Sequence, residues 1–92
     1  MTTQLTLSEA EKRQLTAYYV DTVKDAFLDE FPVEDEDAMH WESIKIGQRM
    51  FDLCTYWHDE YIGCVVYECD WINDNWQTNM TKDWLLTEQE WV

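Results

Sequence analysis

The sequence contains very little of the residue types that build loops and bind nucleic acid. Two glycines and one proline occur in 92 residues, and six Lys and Arg stand against twenty Asp and Glu, for a formal net charge of −14. So few glycines argue against the glycine-rich loops that hold phosphates or dinucleotides. The excess of negative charge disfavours direct binding to nucleic acid and to anionic membranes. The sequence contains no run of about 18 apolar residues, so no membrane-spanning helix is predicted.

Cysteine is scarce as well, with Cys54, Cys64 and Cys69 as the complete set. An odd and sparse set argues against a disulfide framework and is typical of reduced thiols. The N-terminal segment lacks a basic region followed by an apolar run, so no secretory signal is predicted. We therefore expect a cytoplasmic protein, in the cytoplasm of the host cell if a phage encodes it.

Metal and catalytic motifs are missing or incomplete. Cys54 and His58 would share a helical face, and Cys64 or Cys69 would add a ligand, but this spacing matches no zinc module. No acidic run contains the central glycine of a calcium-binding loop. The serine and glycine motifs of common enzymes are missing too. The sequence thus predicts neither an enzyme nor a cofactor or metal site, and no catalytic residue is assigned.

What the chain has instead is apolar and aromatic material. Apolar residues make up 46% of the sequence, including six Trp, five Tyr and three Phe. Strongly acidic chains are usually disordered because they bury too little apolar surface, but this composition allows a single folded domain over residues 1–92. The negative charge is therefore expected on a folded surface rather than on a solvated tail.

The acidic residues run through the whole sequence. Residues 1–32, 33–62 and 63–92 each carry an excess of acids, and no Lys or Arg occurs from Met50 to Thr81. Interspersed lysines would relieve repulsion by roughly a few tenths of a kcal/mol per pair. A chain that omits this relief indicates that its negative field is used, although adaptation to a salt-rich cytoplasm would produce the same bias.

Helical signals organise the N-terminal third. Ser8 and Glu11 form a capping box, and no helix breaker follows before Pro32, so a helix is predicted between them. Its expected inward face consists of Tyr19, Val20, Val23, Ala26, Phe27 and Phe31. On the opposite side, a spacing of four predicts an exposed row with a step of about 6 Å. The members of this row are Asp21, Asp25 and Asp29.

Three further helices are predicted. The second, from about Ala38 to Tyr61, follows from a helical spacing of apolar residues. Those residues are Ile46, Met50, Leu53, Trp57 and Tyr61. The segment 64–76 matches a helix, to which we assign it, but also a strand, and Thr81 would cap a last helix over 81–91. The predicted fold is all-α, a compact bundle of about four helices, and the alternative is an α+β fold with a strand or hairpin around 64–71.

Carboxylates and tryptophans outside the expected core are the candidate partner-binding residues. Besides Asp21, Asp25 and Asp29, they include the acidic segment that connects the first two predicted helices. Capping the second helix would require only one of its four acids. This connection is Glu34, Asp35, Glu36 and Asp37. Further along the chain the candidates are Asp59, Glu60, Glu68, Asp70, Asp74 and Trp71. An exposed Trp among carboxylates contributes a cation–π contact with Arg, and Trp91 beside Glu88 and Glu90 is a second such Trp.

Together these features make the chain similar to a known class of proteins. In its size, in the base-free stretch from Met50 to Thr81 and in the row Asp21, Asp25 and Asp29, the chain resembles the small acidic DNA-mimic inhibitors of bacteriophages and mobile elements, the anti-restriction and anti-CRISPR class. The resemblance implies a non-catalytic inhibitor that occupies the basic DNA- or RNA-binding surface of a host enzyme or defence complex. It implies a basic nucleic-acid-binding protein as the partner, and no direct contact with nucleic acid or membrane.

Two other functions compete with this one. An adaptor or regulatory protein would bind its partner through an aromatic face, with the acidity serving solubility. A small metal-dependent enzyme is the third alternative. Six Trp exceed what the interior of one small helical domain is expected to hold. Some of them are therefore expected at a partner interface or at the interface of a homodimer.

Overall fold

The protein folds as one helix packed on a five-stranded β-sheet. A computed structural model describes residues 3–35 and 37–90. In chain order the elements are β1 (Thr3–Gln4), α1 (Glu9–Tyr18), a π-helical turn (Tyr19–Val23), α2 (Lys24–Glu30), β2 (Met39–Ile46), β3 (Arg49–His58), β4 (Tyr61–Ile72) and β5 (Asn75–Glu90). This is an α+β fold, so the prediction of an all-α bundle of about four helices is wrong. The segment 64–71, for which a strand was the alternative, lies within β4.

The helix begins where the sequence predicts, and its capping box is confirmed. The Ser8 hydroxyl accepts a hydrogen bond from the Glu11 N–H (3.1 Å), and the Glu11 carboxylate accepts one from the Ser8 N–H (2.8 Å). α1, the π-helical turn and α2 follow one another directly, and the backbone becomes extended at Phe31. The residue before a proline avoids helical backbone angles, so Pro32 explains this end of the helix.

The π-helical turn keeps the buried residues of the helix in one line. The buried positions recur at a uniform spacing of four and are Leu15, Tyr19, Val23 and Phe27. At 3.6 residues per turn, this spacing would drift round an α-helix by about 40° per step. The wider π turn, with its i→i+5 hydrogen bonds, offsets part of that drift. Two members of the expected inward face, Val20 and Ala26, are exposed instead.

The predicted second helix, from about Ala38 to Tyr61, is wrong because the segment forms the hairpin of β2 and β3. Gly47 is the first residue of the two-residue turn, with a φ of 63° that glycine adopts without steric cost. Along β3 the residues that face the helix are all buried and are Phe51, Leu53, Thr55 and Trp57. Their period of two is that of a strand.

The predicted helices over 64–76 and 81–91 are wrong as well, because β4 and β5 occupy these segments up to Glu90. The turn between the two strands is Asn73–Asp74, and both residues have positive φ, 54° and 60°. Short polar side chains tolerate this conformation, which matches the twist of a tight hairpin. Thr81 caps no helix, since its N–H donates to Asn79 Oδ1 (3.0 Å) at a shift in the β4–β5 register.

The strand order is β1-β5-β4-β3-β2, with β1 parallel to β5 and the other neighbours antiparallel. The helix covers one face of this sheet with two apolar clusters. The larger cluster includes Leu15, Tyr19, Val23, Phe51, Leu53, Cys64 and Val66. The smaller one contains Phe27, Ala38, Trp57 and Ile62. Because all five strands belong to one sheet, no strand of the described residues covers its other face.

On that other face, Gly63 allows the ring of Tyr56 to lie directly over the backbone of β4. A Cβ atom at Gly63 would collide with the Tyr56 ring, which is held by a hydrogen bond from its hydroxyl to Glu88 (3.1 Å). Burial and this bond raise the pKa of Tyr56 to about 12, so the phenol remains a proton donor at neutral pH.

We expect Gly63→Ala to lower the free energy of unfolding by about 1 to 2 kcal/mol, because an overpacked site displaces its neighbours. Urea denaturation followed by circular dichroism measures the loss. The matched control is Gly63→Ala in a Tyr56→Ala background, where the methyl group meets no ring and the same substitution should cost almost nothing. An equal cost in both backgrounds would contradict the collision.

Candidate partner-binding surface

The end of the helix, the loop that follows it and the β3–β4 turn meet at one end of the molecule. Phe27 of α2 packs against Trp57 with ring centres 5.4 Å apart, and the Trp57 indole N–H donates to the Phe31 carbonyl (2.9 Å). Trp57 is the second-last residue of β3, next to the β3–β4 turn. These contacts place residues 29–35 and Asp37 at the same end as residues 59–60, which are remote from them in sequence.

The last residues of β5 join them, since Glu88 and Glu90 pair with Gly63 and Tyr61 at the start of β4. We name the exposed carboxylates at this end the acidic pole. Its described members are Asp29, Glu30, Glu34, Asp35, Asp37, Asp59, Glu60, Glu88 and Glu90. Glu36, a sequence candidate, lies outside the described residues, as does Trp91. No Lys or Arg occurs in residues 25–44, 50–81 or 83–92, which contain the whole acidic pole.

The helix increases the negative potential of the acidic pole. Aligned peptide dipoles give the C-terminal end of a helix about half a negative charge. Asp29 and Glu30 lie in the last turn of α2, and this turn holds no basic residue. Carboxylates in such a position are destabilising by about 0.3 to 1 kcal/mol each. The fold therefore tolerates unfavourable electrostatics here, which the solubility of the protein alone does not require.

The predicted row of Asp21, Asp25 and Asp29 is exposed along the helix and leads into the acidic pole. Among residues 3–35 and 37–90, no salt bridge involves any of the three. Of the histidines, His40 lies closest to the carboxylates of the helix end, with Nδ1 at 4.0 Å from Glu30. The row thus adds charges without an ion-pair partner to the acidic pole.

Glu68, also a sequence candidate, lies at the opposite end and is occupied by Arg49. The Arg49 guanidinium donates to both oxygens of Glu68 (2.9 and 3.0 Å), to both oxygens of Glu11 (2.8 Å each) and to the Thr6 carbonyl (3.1 Å). The hydrogen bonds that Arg49 donates to Glu68 and Glu11 raise the pKa of Arg49. The Ser8 N–H, and after it Arg49, lower the pKa of Glu11. Glu68 is therefore part of a clamp between the sheet and the helix start.

The other basic residues of this half lie near the same clamp. Lys12 is in α1 with Glu9 at 3.7 Å, and Arg13 follows it. Lys45 pairs with Met50 in the β2–β3 hairpin, and Lys82 pairs with β1. The bases are therefore unevenly distributed: most of the six lie toward the end away from the acidic pole, where Lys12 and Arg49 pair with acids of that same end.

Asp70, Trp71 and Asp74 come together at the tip of the β4–β5 hairpin, far from the acidic pole. This tip extends beyond β3, whose pairing with β4 stops at Cys69. Trp71 is 57% exposed and meets Trp76 edge-on, with ring centres 5.1 Å apart. These three candidates are also close together in the sequence, and the fold separates them from the acidic pole.

The sheet face away from the helix carries apolar side chains that the sequence did not single out. We name this surface the open sheet face, and its members are Met39, Trp41, Tyr56, Val65, Tyr67 and Leu85. Trp41 and Tyr67 stack with ring centres 6.0 Å apart. Met39, Trp41 and Leu85 are about half exposed. The alternation of the apolar residues Met39 and Trp41 with the polar residues His40 and Glu42 is typical of a strand, but a helix was predicted for this segment.

Comparison with known proteins adds no further constraint, because no protein-family model, no curated protein and no solved structure matches the chain. Within residues 3–35 and 37–90, no group of three or more His, Cys, Asp and Glu side chains is placed to hold a metal ion. No helix among the described residues combines the length and the apolar character that crossing a membrane requires.

Proposed function

We propose that the protein is a non-catalytic inhibitor that mimics nucleic acid and occupies the basic DNA- or RNA-binding surface of a host defence protein or another nucleic-acid-binding protein in the cytoplasm. The acidic pole supports this proposal, because exposed carboxylates gather there from distant stretches of chain that contain no Lys or Arg. Duplex DNA carries one negative charge per roughly 1.7 Å of its axis. A surface that binds DNA is correspondingly basic, and the acidic pole complements it.

The footprint that we propose consists of the acidic pole and the row of Asp21, Asp25 and Asp29. The hairpin tip with Asp70, Trp71 and Asp74 lies at the other end and is not included. Glu68 is excluded because Arg49 already neutralises it. This division of the carboxylates allows the footprint to be tested with variants that remove the same number of charges at either end.

Competition with DNA tests the proposal directly. The immobilised protein is incubated with a nuclease-treated bacterial lysate at low ionic strength, and bound proteins are eluted with duplex DNA. A mimic is expected to release its target to the DNA, since both ligands occupy one basic surface. A captured protein that duplex DNA or RNA leaves in place, and that stays bound when the ionic strength is raised, would contradict the proposal.

Charge-neutral variants locate the footprint. We expect Asp29→Asn, Asp35→Asn and Glu60→Gln in one chain to weaken binding of the captured protein about tenfold, because three ion pairs of about 0.5 kcal/mol each are lost. Isothermal titration calorimetry measures this change. The control combines Glu9→Gln, Asp70→Asn and Asp74→Asn, which removes the same net charge at the other end and should change affinity less than about twofold. Equal weakening by both triple variants would show that only net charge matters.

The open sheet face supports a second candidate function. Stacked Trp41 and Tyr67 and the half-exposed Met39 and Leu85 form the kind of aromatic patch on which adaptor proteins bind a partner. An adaptor of this kind would keep its affinity at high ionic strength and lose it on Trp41→Ala. The mimic is expected to show the opposite pattern.

A further inference from the structure

Among the described residues, the outer edge of β2 is a free edge of the sheet that runs without interruption over eight residues. At the other edge, β1 covers only part of β5. The backbone of Ala38 points toward β3, since its carbonyl accepts from the Trp57 N–H (3.4 Å). Because hydrogen-bonding directions alternate along a strand, His40, Glu42, Ile44 and Ile46 also bond to β3. The N–H and C=O groups of the intervening residues therefore point outward, and these are Met39, Trp41, Ser43 and Lys45.

This edge lacks most features that prevent strands from pairing with a further strand. β2 contains no proline, and its register with β3 runs without a bulge from Met39 to Ile46. A single lysine is the only basic residue in it, and Glu42 is its only acid. One side-chain hydroxyl, that of Tyr18, approaches an outward carbonyl, Ser43 O, at 3.5 Å. A bond of that length is weak, so the edge is open to a partner strand.

The charge distribution favours a second copy of the chain in antiparallel orientation. β2 runs from the acidic pole, next to Ala38, toward the half that holds Lys45 and Arg49. Two antiparallel β2 strands would keep the two acidic poles apart, each beside the end of the other copy that holds most of its bases. A parallel arrangement would bring the two acidic poles together, and their repulsion disfavours it.

We propose that the protein forms a two-fold homodimer in which the β2 strands of both copies pair antiparallel about an axis at Ser43. In this register Ser43 lies opposite Ser43 of the second copy, and Trp41 lies opposite Lys45, where ring and ammonium attract each other. Moving the axis to Glu42 would set two carboxylates directly opposite, which is destabilising. The result is one continuous ten-stranded sheet, with an isologous interface.

Disulfide trapping tests the register. Paired residues on the axis have Cα atoms about 5.5 Å apart, within the range that a disulfide bridges. Ser43→Cys is therefore expected to yield a covalent dimer under mild oxidation, seen on a non-reducing gel. Lys45→Cys is the matched control, because its counterpart in the second copy lies four residues away along the strands, about 13 Å. This variant should remain monomeric on the same gel.

The native cysteines do not interfere with this experiment. Cys54, Cys64 and Cys69 are all buried, and burial raises the pKa of each thiol, to about 12 for Cys64 and about 11 for Cys69. Thiols of this kind react slowly, because the thiolate is the reactive form. The unsubstituted chain is therefore the baseline, and it should give no covalent dimer.

Sedimentation of the unsubstituted protein tests the dimer independently. A mass of twice 11.2 kDa is expected, and added salt should shift the equilibrium toward the dimer because it screens the repulsion between two chains of charge −14. Binding of a basic partner to the acidic pole has the opposite salt dependence, so the two proposals fail separately. A monomer at all salt concentrations, or equal cross-linking of Ser43→Cys and Lys45→Cys, would overturn the proposed dimer.

Discussion

Replacement of Trp57 by alanine is expected to lower the free energy of unfolding by about 3 to 5 kcal/mol. Trp57 is 4% exposed, packs on Phe27 and donates its indole N–H to the Phe31 carbonyl. The substitution leaves a cavity in the smaller core cluster and removes the donor that ties the end of the helix to β3. Small domains are stable by about 5 to 15 kcal/mol, so the loss is a large fraction of the total. Urea denaturation followed by far-ultraviolet circular dichroism measures it.

Trp71→Ala is the matched control for this prediction, because it removes the same side chain from a site that is 57% exposed. The free energy of unfolding of this variant should lie within about 0.5 to 1 kcal/mol of that of the unsubstituted protein, since the substitution removes little buried area and one ring contact. Comparable losses in the two variants would mean that the Trp57 indole is not enclosed by the helix and the sheet as described.

Arg49→Met is expected to lower the free energy of unfolding by about 2 kcal/mol. Glu11 and Glu68 each lose two hydrogen bonds to the guanidinium, and two carboxylates of equal sign are left beside each other. Removal of one partner from a fully buried ion pair costs about 3 to 5 kcal/mol, and the partial exposure of this clamp reduces that figure. Thermal and urea unfolding of the variant provide the measurement.

Adding Glu11→Gln and Glu68→Gln to Arg49→Met separates charge from packing. If repulsion between the two unpaired carboxylates causes the loss of stability, the triple variant should recover most of it, because neutral amides need no counter-ion.

The dependence of stability on acid pH should change as well. Because folding lowers the pKa of Glu11, the ionised Glu11 carboxylate contributes its full share to the free energy of unfolding above the pKa it has in the unfolded chain. This stabilisation is lost as the pH falls through the lower pKa of the folded protein. In the Arg49→Met variant, the loss of stability on acidification should be smaller, because Arg49 no longer lowers the pKa of Glu11. An unchanged loss would mean that the hydrogen bonds with Ser8 alone lower this pKa.

The helix could be predicted because its signals are local. The capping box at Ser8 and Glu11 and the stop at Pro32 act within a few residues. The sheet could not be predicted in the same way, because in β3 both faces carry apolar residues. Phe51, Leu53 and Trp57 face the helix, whereas Met50 and Cys54 face the other side. With apolar residues on both faces, the period of two is masked and a spacing of 4, 3 and 4 arises by coincidence.

The turns were the second signal that sequence reasoning underused. Gly47 with Gln48, and Asn73 with Asp74, form two-residue hairpin turns. The candidate surface was predictable only in pieces. The connection from Glu34 to Asp37 and the pair Asp59 and Glu60 stood out as acidic, but their proximity depends on strand pairing. Glu30, which joins them at the helix end, was not selected.

The pairing of β1 with β5 has a consequence for how the fold is reached. Thr3 pairs with Lys82, so the first strand in the chain finds its place beside the last. Closing so long a loop costs conformational entropy before any contact repays it. The three hairpins of β2 to β5, by contrast, join neighbouring strands through two-residue turns. We therefore expect β1 and the start of the helix, which Arg49 of β3 contacts through Glu11, to dock late in folding.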